Sequence, residues 1–462
     1  MELKEGGEVS TEVGWAEVPE GMRAFVASNG LPADAYQLRG LYRFVRLNPR
    51  LWSARTTSPL ETAAVLQREL GGEGALEAEA VEWLPGFYRL PHSASISDSD
   101  LYKTGKIYGI DASSGAAVVA LDPQPGDNVL DLCCAPGAKL CMIADMLAGQ
   151  GTVTGVDIAE ARLGACRNVL AKYEIPNARL VLHDGTTVNV LAPPRKTMAL
   201  GAAPTDKTTD NNEEEEEEEE EEAEEETKEG QEEEGEAKDD DGRGKTSTGR
   251  ICRHVSKKRD RAELAAARWR KKTKRKRVLP DELPHVFYAY PYDLCLTSAS
   301  AQLYDRVMID AQCTLDASVR HILHYGKLGW KDFTPRITEE TVDLQKRLLA
   351  NGFRLLAPGG YLVYSTCSFC REQNEDVVSW LLEREPTARV VPIPGADRMP
   401  CSKGLLPHTL RFYPRDTQTS GLFIAKLTKL AEPHATSTST SSTAAAAAAT
   451  DQVEDATRRA IP

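Results

Sequence analysis

The sequence predicts an α/β protein organised around a doubly wound, mostly parallel sheet, preceded by a small α/β region and interrupted by a disordered charged insertion. Three observations lead there. From about residue 105, apolar runs, small-residue turns and helix-length segments alternate, as strands and crossover helices do in a parallel sheet. That rhythm stops between residues 193 and 280, where charge replaces apolar side chains, and resumes at 303. At 462 residues the chain is long enough for two or three domains and a sizeable core.

Residues 1–104 mix short strands and helices, with Trp52, Trp83, Phe87 and Tyr88 as candidate core aromatics, and form an N-terminal auxiliary region. The main domain is expected over 105–430. Within it, DNVLDLCCAPGAKLCMIADML reads as strand, turn and helix, and GTVTGVDIAEARLGACRNVLAKY repeats that order. A third strand follows in ARLVLHD. The insertion, 193–280, has too few apolar residues to offset the entropy of ordering it, apart from a helix expected at Ala262–Lys276. LYDRVMID (303–310) restores the sheet, a long helix follows, and GGYLVYSTCS (359–368) and SGLFIAKL (420–427) supply the last strands. The Ser/Thr/Ala-rich stretch 431–462 reads as a disordered tail. No repeat of solenoid period is present.

The formal net charge of −14 is segregated. Residues 213–241 carry 21 acidic and 2 basic side chains, whereas residues 243–277 carry 16 basic and 2 acidic ones, which leaves −9 for the remainder. Such a distribution does not exclude a polyanionic partner. The first residues, MELKEGGEVSTEVGW, predict no secretory leader, and no apolar run of membrane-spanning length occurs. Ten scattered cysteines then read as free thiols in a reducing compartment rather than as disulfides.

The first strand leads into Cys133, Cys134, Ala135, Pro136, Gly137, Ala138 and Lys139. Small residues let backbone approach a ligand, and the helix behind them presents unpaired N–H groups. The turn lacks the GxGxxG of a dinucleotide site. It suits a nucleoside with a compact polar tail, such as S-adenosyl-methionine. Asp157 ends the second strand 20 residues after Gly137, where a ribose hydroxyl would bond, and Asp184 follows the third strand within reach of an adenine edge. The alternative is that these acids cap helices. Arg162, on the helix after Asp157, joins the candidate cofactor set.

Asp310 ends the strand 303–310 and Cys313 follows it, while Cys367 follows the next strand 54 residues later. One crossover helix fills that gap, so both tips are expected to lie side by side. A cysteine at such a place is either a buried small hydrophobe or a nucleophile. Cys367 and Cys370 also form a CxxC pair, without the second pair a structural zinc site needs.

These strings resemble the Nop/Nol/Sun (RsmB/Nop-type) family of RNA cytosine-5 methyltransferases. The resemblance runs over roughly 40–427 outside the insertion and rests on RLNP (46–49), LDLCCAPGAKL (130–140), GVD (155–157), HDG (183–185), DAQC (310–313), LLAPGGYLVYSTCSF (355–369), QNEDVV (373–378), LPH (406–408) and GLFIAK (421–426). It implies a Rossmann-like methyltransferase sheet, S-adenosyl-methionine as cofactor, and tRNA or rRNA as substrate. By resemblance Cys367 is the nucleophile, Cys313 assists release of the methylated base, Asp310 bonds the cytosine ring with Lys139 nearby, and Asp157 and Asp184 hold ribose and adenine. Chemistry alone does not choose between the two cysteines; the family does. In that chemistry a thiolate attacks carbon 6, carbon 5 takes the methyl group, and a base removes the carbon-5 proton.

One departure matters. The family usually has Asp-x-Pro-Cys-Ser-Gly, and this chain has Asp310-Ala311-Gln312-Cys313-Thr314-Leu315. Losing proline and glycine predicts a different loop path and leaves the placement of Cys313 open. It also motivates a rival reading, a catalytically weak RNA-binding assembly factor on the same fold. The target base must be flipped or single-stranded. Arg320, His321, His324, Lys327 and Arg336 are candidate RNA contacts, and Arg46 and Arg50 join them by resemblance. KKTKRKR (271–277) reads as a nuclear-import or nucleic-acid patch, favouring a nuclear or nucleolar protein. Spatially, Cys313 and Cys367 are expected to face one cleft, with Asp310 between them and the CCAPG turn as its floor.

Overall fold

The computed structural model describes residues 20–29, 31–32, 42–52, 58–70, 77–91, 94–193, 286–290, 302–318 and 335–431. The insertion beyond residue 193, the helix expected at Ala262–Lys276, the RNA contacts expected at Arg320, His321, His324 and Lys327, and the tail beyond 431 lie outside them.

The N-terminal part contains α1 (Glu20–Ser28), β1 (Tyr42–Leu47), α2 (Pro59–Leu70), β2 (Glu79–Ala80), β3 (Phe87–Pro91), α3 (Asp100–Lys103) and β4 (Ile107–Gly109). Its strands form an antiparallel sheet in the order β2-β3-β1-β4. Alternation along each strand splits the side chains between two faces. Val45, Tyr88, Leu90 and Ile107 pack on Ala63, Leu66 and Leu70 of α2. Phe44, Phe87 and Tyr108 face the other way and join the core of the main domain. Trp52 and Trp83 are half-buried at the margins of these two clusters. Because β4 pairs with β1, the small sheet runs past residue 104 as far as Gly109.

The junction is close. Helix α4 (Ala112–Leu121) starts at Asp111, whose carboxylate accepts from the Ser113 N–H at 3.0 Å. It is apolar nearly all round because it is wedged between the two sheets. A Cβ on Gly115 would lie 2.5 Å from Phe87 Cζ, so only glycine lets the helix approach this closely.

The main domain continues with β5 (Asn128–Asp131), α5 (Ala138–Met146), β6 (Thr152–Asp157), α6 (Glu160–Lys172), β7 (Ala178–Leu182), β8 (Val286–Tyr290), β9 (Tyr304–Asp310), α7 (Pro335–Leu355), β10 (Leu356–Thr366), α8 (Glu375–Arg384), β11 (Ala388–Val390), β12 (Ser402–Lys403), β13 (Leu410–Phe412) and β14 (Leu422–Lys429). The strand order is β12-β13-β14-β10-β9-β5-β6-β7-β8, with β11 on β14. The five strands from β10 to β7 are parallel, and β8 and β14 flank them antiparallel. Val129, Met308, Val363 and Ile424 face the layer of α4, α5 and α6. Leu130, Val307, Ile309, Leu362, Tyr364 and Phe423 face α7 and α8. Helices on both faces explain why these strands read as continuous apolar runs. The chain moves from β5 to β6 on one side and returns through β9 on the other, so the switch point of the double winding lies between β5 and β9. Among the described residues no helix is long and apolar enough to cross a membrane.

Candidate active site

The carboxyl ends of five parallel strands share one edge, and every residue singled out for chemistry follows one of them. Along that edge the order is Cys367 after β10, Asp310 at the end of β9, Cys133–Gly137 after β5, Asp157 at the end of β6 and Asp184 after β7.

The two thiols meet. Cys313 Sγ lies 3.0 Å from Cys367 Sγ, although 54 residues separate them. Cys313 is buried and Cys367 half-buried, and all eight cysteines among the described residues are free. The hydrogen bond with Cys313 and burial push the Cys367 thiol well above the usual thiol range, so the site at rest holds it protonated. The altered loop does bring Cys313 beside Cys367. Leu315, at the family's glycine position, takes φ +58 to make the turn.

Asp310 is held at both oxygens. Oδ2 accepts from Lys139 Nζ at 2.7 Å, and Oδ1 accepts from Ser365 Oγ at 2.8 Å. Lys139 also donates to Ser114 Oγ at 3.1 Å. Burial works to lower the lysine's pKa, but the charge and hydrogen bond of Asp310, with Asp131 and Cys367 nearby, together raise it and keep the ammonium charged. Asp131, at the end of β5, is fully buried beside this pair. Burial and the Asp310 charge push its carboxyl up to about 7.

Sequence reasoning singled out these thiols and the acid but not what holds them. Gln373 Oε1 accepts from the Thr314 N–H at 3.1 Å, and Nε2 donates to Thr314 Oγ1 at 2.7 Å and Ser368 Oγ at 3.1 Å. Asp316 accepts from the Phe369 N–H at 2.7 Å and from Thr314 Oγ1. Asn374 Nδ2 donates to the Ser368 carbonyl at 2.8 Å. Glu375 pairs with Arg411, which donates to the Phe369 carbonyl at 2.9 Å. The QNED string, which carried resemblance without a role, is this scaffold.

On the cofactor side, Gly137 caps α5 at φ +104, and a Cβ there would meet Cys166 Sγ at 2.8 Å. The turn before it is tied down at Cys134, whose N–H donates to the Val156 carbonyl at 3.1 Å. Arg162 Nη2 bonds the Ala135 carbonyl at 2.8 Å and lies 3.3 Å from Asp157 Oδ2, bridging the turn and the β6 tip. Asp157 Oδ1 accepts from the Ala159 N–H at 3.0 Å, closing a turn just ahead of α6 without capping the helix itself. Asp184 Oδ1 accepts from both the N–H and the hydroxyl of Thr186 at 2.8 Å. Ile158, directly after Asp157 at the β6 tip, exposes 68% of its surface, an apolar group that sequence reasoning missed. Pro136 is exposed and Cys133 half-buried, its N–H donating to Asp131 Oδ1 at 3.3 Å.

Two expectations are corrected. Cys134 does not offer its side chain to a ligand, because its thiol fills the space above Gly155 in the core. Arg46 and Arg50 are not free for RNA. Arg46 Nη1 donates to Asp145 Oδ2 at 2.7 Å and Arg50 Nε to Oδ1 at 3.0 Å, and Arg50 also reaches the Glu174 carbonyl at 2.6 Å. They tie the small sheet to α5. Arg336 falls in α7.

A family model described as 16S rRNA methyltransferase RsmB/F matches residues 118–210 and 286–428. Ribosomal RNA small subunit methyltransferase F of Cronobacter sakazakii is 34% identical over 139 residues, 29% of this chain and 27% of that protein. Its counterpart from Escherichia coli (strain SMS-3-5 / SECEC) is 33% identical over 137 residues, with the same shares. The match thus spans about a quarter of the length of these curated relatives. Among solved structures, a methyltransferase homolog protein from Pyrococcus horikoshii aligns with TM-score 0.50 and 22% identity, over 89% of this chain and 100% of that one. NSun6 from Pyrococcus horikoshii with SFG aligns with TM-score 0.55 and 15% identity, over 90% and 99%. At these identities the likeness is one of fold.

Proposed function

The chain belongs to the RsmB/F family of RNA methyltransferases, and from that premise we propose that it methylates carbon 5 of a cytosine in RNA through a covalent adduct on Cys367. The observation that carries this reading is the 3.0 Å approach of the Cys313 and Cys367 sulfurs beside the Lys139–Asp310 pair. A buried hydrophobe's role for Cys313 does not call for a second thiol and a charged pair at the same strand tips.

S-adenosyl-methionine would be held by the 133–137 turn, Asp157, Asp184 and Arg162. The fit rests on features of the protein itself: an exposed Ile158 directly after Asp157, on the strand next to the one that Asp184 follows, offers an apolar face on an edge that carries acids, as an adenosine needs. That NSun6 was solved with SFG, an S-adenosyl-methionine analogue, supports the assignment. The bound cofactor supplies an electrophilic methyl group.

The remaining chemistry belongs to side chains. Cys367 must lose its proton before its sulfur can bond to cytosine carbon 6, since the thiolate is the nucleophile. Forming that bond moves electron density to carbon 5, which then takes the methyl group. Asp310, with one oxygen on Lys139 and the other on Ser365, is positioned to hold the ring edge by a hydrogen bond, and the Lys139 ammonium beside it meets the negative charge that develops on the ring. Removal of the carbon-5 proton returns electrons to the ring and breaks the S–C6 bond, and Cys313 assists that release.

Incubating RNA and labelled cofactor with Cys367→Ala and Cys313→Ala tests the scheme. Cys367→Ala is expected to abolish 5-methylcytosine in bisulfite sequencing, and Cys313→Ala to trap an RNA adduct that survives denaturing gels. Methylation persisting in Cys367→Ala would overturn it. The relatives' names make small-subunit rRNA the first substrate to try and tRNA the second. The same assay addresses the assembly-factor reading, which the meeting of the thiols disfavours. The basic run 271–277 supports a nuclear location, to be checked by following a 196–277 deletion in cells.

A further inference from the structure

We propose that Gln345 and Gln373 are positioning residues that set the distance between the two reactive thiols, taking over the role that proline and glycine play in the family's usual loop. The inference rests on the covalent-cysteine reading for its consequence in the reaction, though not for its geometry.

The loop after β9 lacks both of its usual constraints. Gln312 leaves φ free where proline would fix it, and Leu315 takes φ +58 where glycine would do so without strain. Left to itself, such a segment would hold Cys313 loosely. Two fully buried amides grip it instead. Gln345, on α7, donates from Nε2 to the Gln312 carbonyl at 2.8 Å and to Gln373 Oε1 at 3.3 Å. Gln373 closes on Thr314 at two points, its N–H and its hydroxyl, and on Ser368 at a third. Thr314 follows Cys313 and Ser368 follows Cys367, so one amide holds the neighbour of each thiol. Gln373 is itself pinned, because its carbonyl accepts from the Tyr364 hydroxyl at 2.6 Å. Gln373, with its acceptor and both donors assigned, has one orientation, which makes it a spacer rather than a filler, while Gln345 grips through Nε2 alone, its Oε1 being buried without a hydrogen-bond partner among the described residues.

The test measures thiol spacing directly. In the free full-length protein, diamide should join Cys313 to Cys367 quickly, with the linked peptide followed by mass spectrometry. Gln373→Met and Gln345→Met keep volume and remove the bonds. Each is expected to slow cross-linking at least threefold while far-UV circular dichroism stays unchanged. Adding Gln312→Pro should restore the rate of Gln345→Met, because a stiffened loop no longer needs that bond. If a Met variant does not fold, the half-buried Thr314→Val reads the same grip and should also slow the reaction. Cross-linking at the wild-type rate in the folded variants overturns the proposal. With RNA and cofactor, Gln373→Met should raise the covalently bound fraction at least threefold while first-turnover methylation falls less than threefold, a split that general destabilisation does not produce. If no protein, wild type included, forms an adduct, the proposed function fails and the cross-linking rates still decide the spacer.

Discussion

Replacing Asp145 by alanine should cost about 3–5 kcal/mol of stability without weakening RNA binding by the folded protein. The carboxylate is 1% exposed and accepts from Arg46, itself 8% exposed, at 2.7 Å and from Arg50, 32% exposed, at 3.0 Å. Removing it leaves the Arg46 charge buried with Tyr108 as a cation–π neighbour at 5.1 Å, and stripping one partner from a buried pair accounts for most of the figure. The Arg50 contact adds only about 0.5–1 kcal/mol, because that side chain is wetter and keeps its bonds to the Tyr173 and Glu174 carbonyls. Urea unfolding followed by fluorescence gives the loss as a midpoint shift at constant slope. Asp145→Asn retains one of the two acceptor oxygens and should lose roughly half as much. The same experiment separates two roles for the arginines. If they contacted RNA, freeing them from Asp145 would tighten RNA binding and Arg46→Ala would weaken it at unchanged stability. A stability loss under about 1 kcal/mol in Asp145→Ala, or that binding pattern, would refute the account of the seam.

Further outcomes follow from the site. Cys313→Ala removes the hydrogen bond that ranks first in raising the Cys367 thiol, so iodoacetamide should alkylate Cys367 faster at pH 7.5 than in the wild type, whose own rate climbs with pH; an unchanged or slower rate contradicts this. Asp131, pushed up to about 7 by burial and Asp310, holds in the native state a proton that the unfolded chain gives up near 3.8, so its contribution makes stability fall as pH rises from about 4 to 7. Asp131→Asn, which keeps an acceptor for the Cys133 N–H, should equal the wild type near pH 4 and exceed it by on the order of 2–4 kcal/mol at pH 8; parallel urea curves at both pH values decide it. Gly137→Ala meets φ +104 and a Cys166 sulfur 2.8 Å from the new Cβ, so a loss of about 2 kcal/mol is expected by thermal melting, with at least tenfold weaker S-adenosyl-methionine binding by calorimetry.

What the sequence revealed was whatever leaves a local trace. The strands at 128–131, 152–157, 304–310 and 356–366 announced themselves as apolar runs ended by turns, and Asp157, Asp310 and Cys367 were found because each stands at such an end. Groups acting across the fold left no period to read. Gln373 is one polar residue after a loop until α7 brings Gln345 within 3.3 Å of it. Resemblance offers Arg46 to RNA, and nothing near it in sequence says that Asp145, 99 residues on, is its partner. Cys134, adjacent to Cys133 in a ligand-binding turn, faces inward because consecutive side chains leaving a strand point to opposite sides. The loop at 311–315 left the placement of Cys313 open on composition alone, and it is tertiary bonds that set it beside Cys367.

The small sheet has no face of its own to give to water. One side is roofed by α2, and the other, through Phe44, Phe87 and Tyr108, is continuous with the packing around α4. The boundary drawn through the primary structure near residue 104 is therefore no seam along which the molecule can be parted. A shortened chain starting at α4 would bare a greasy wall and clump on expression, and heating the intact protein should give one calorimetric peak rather than two.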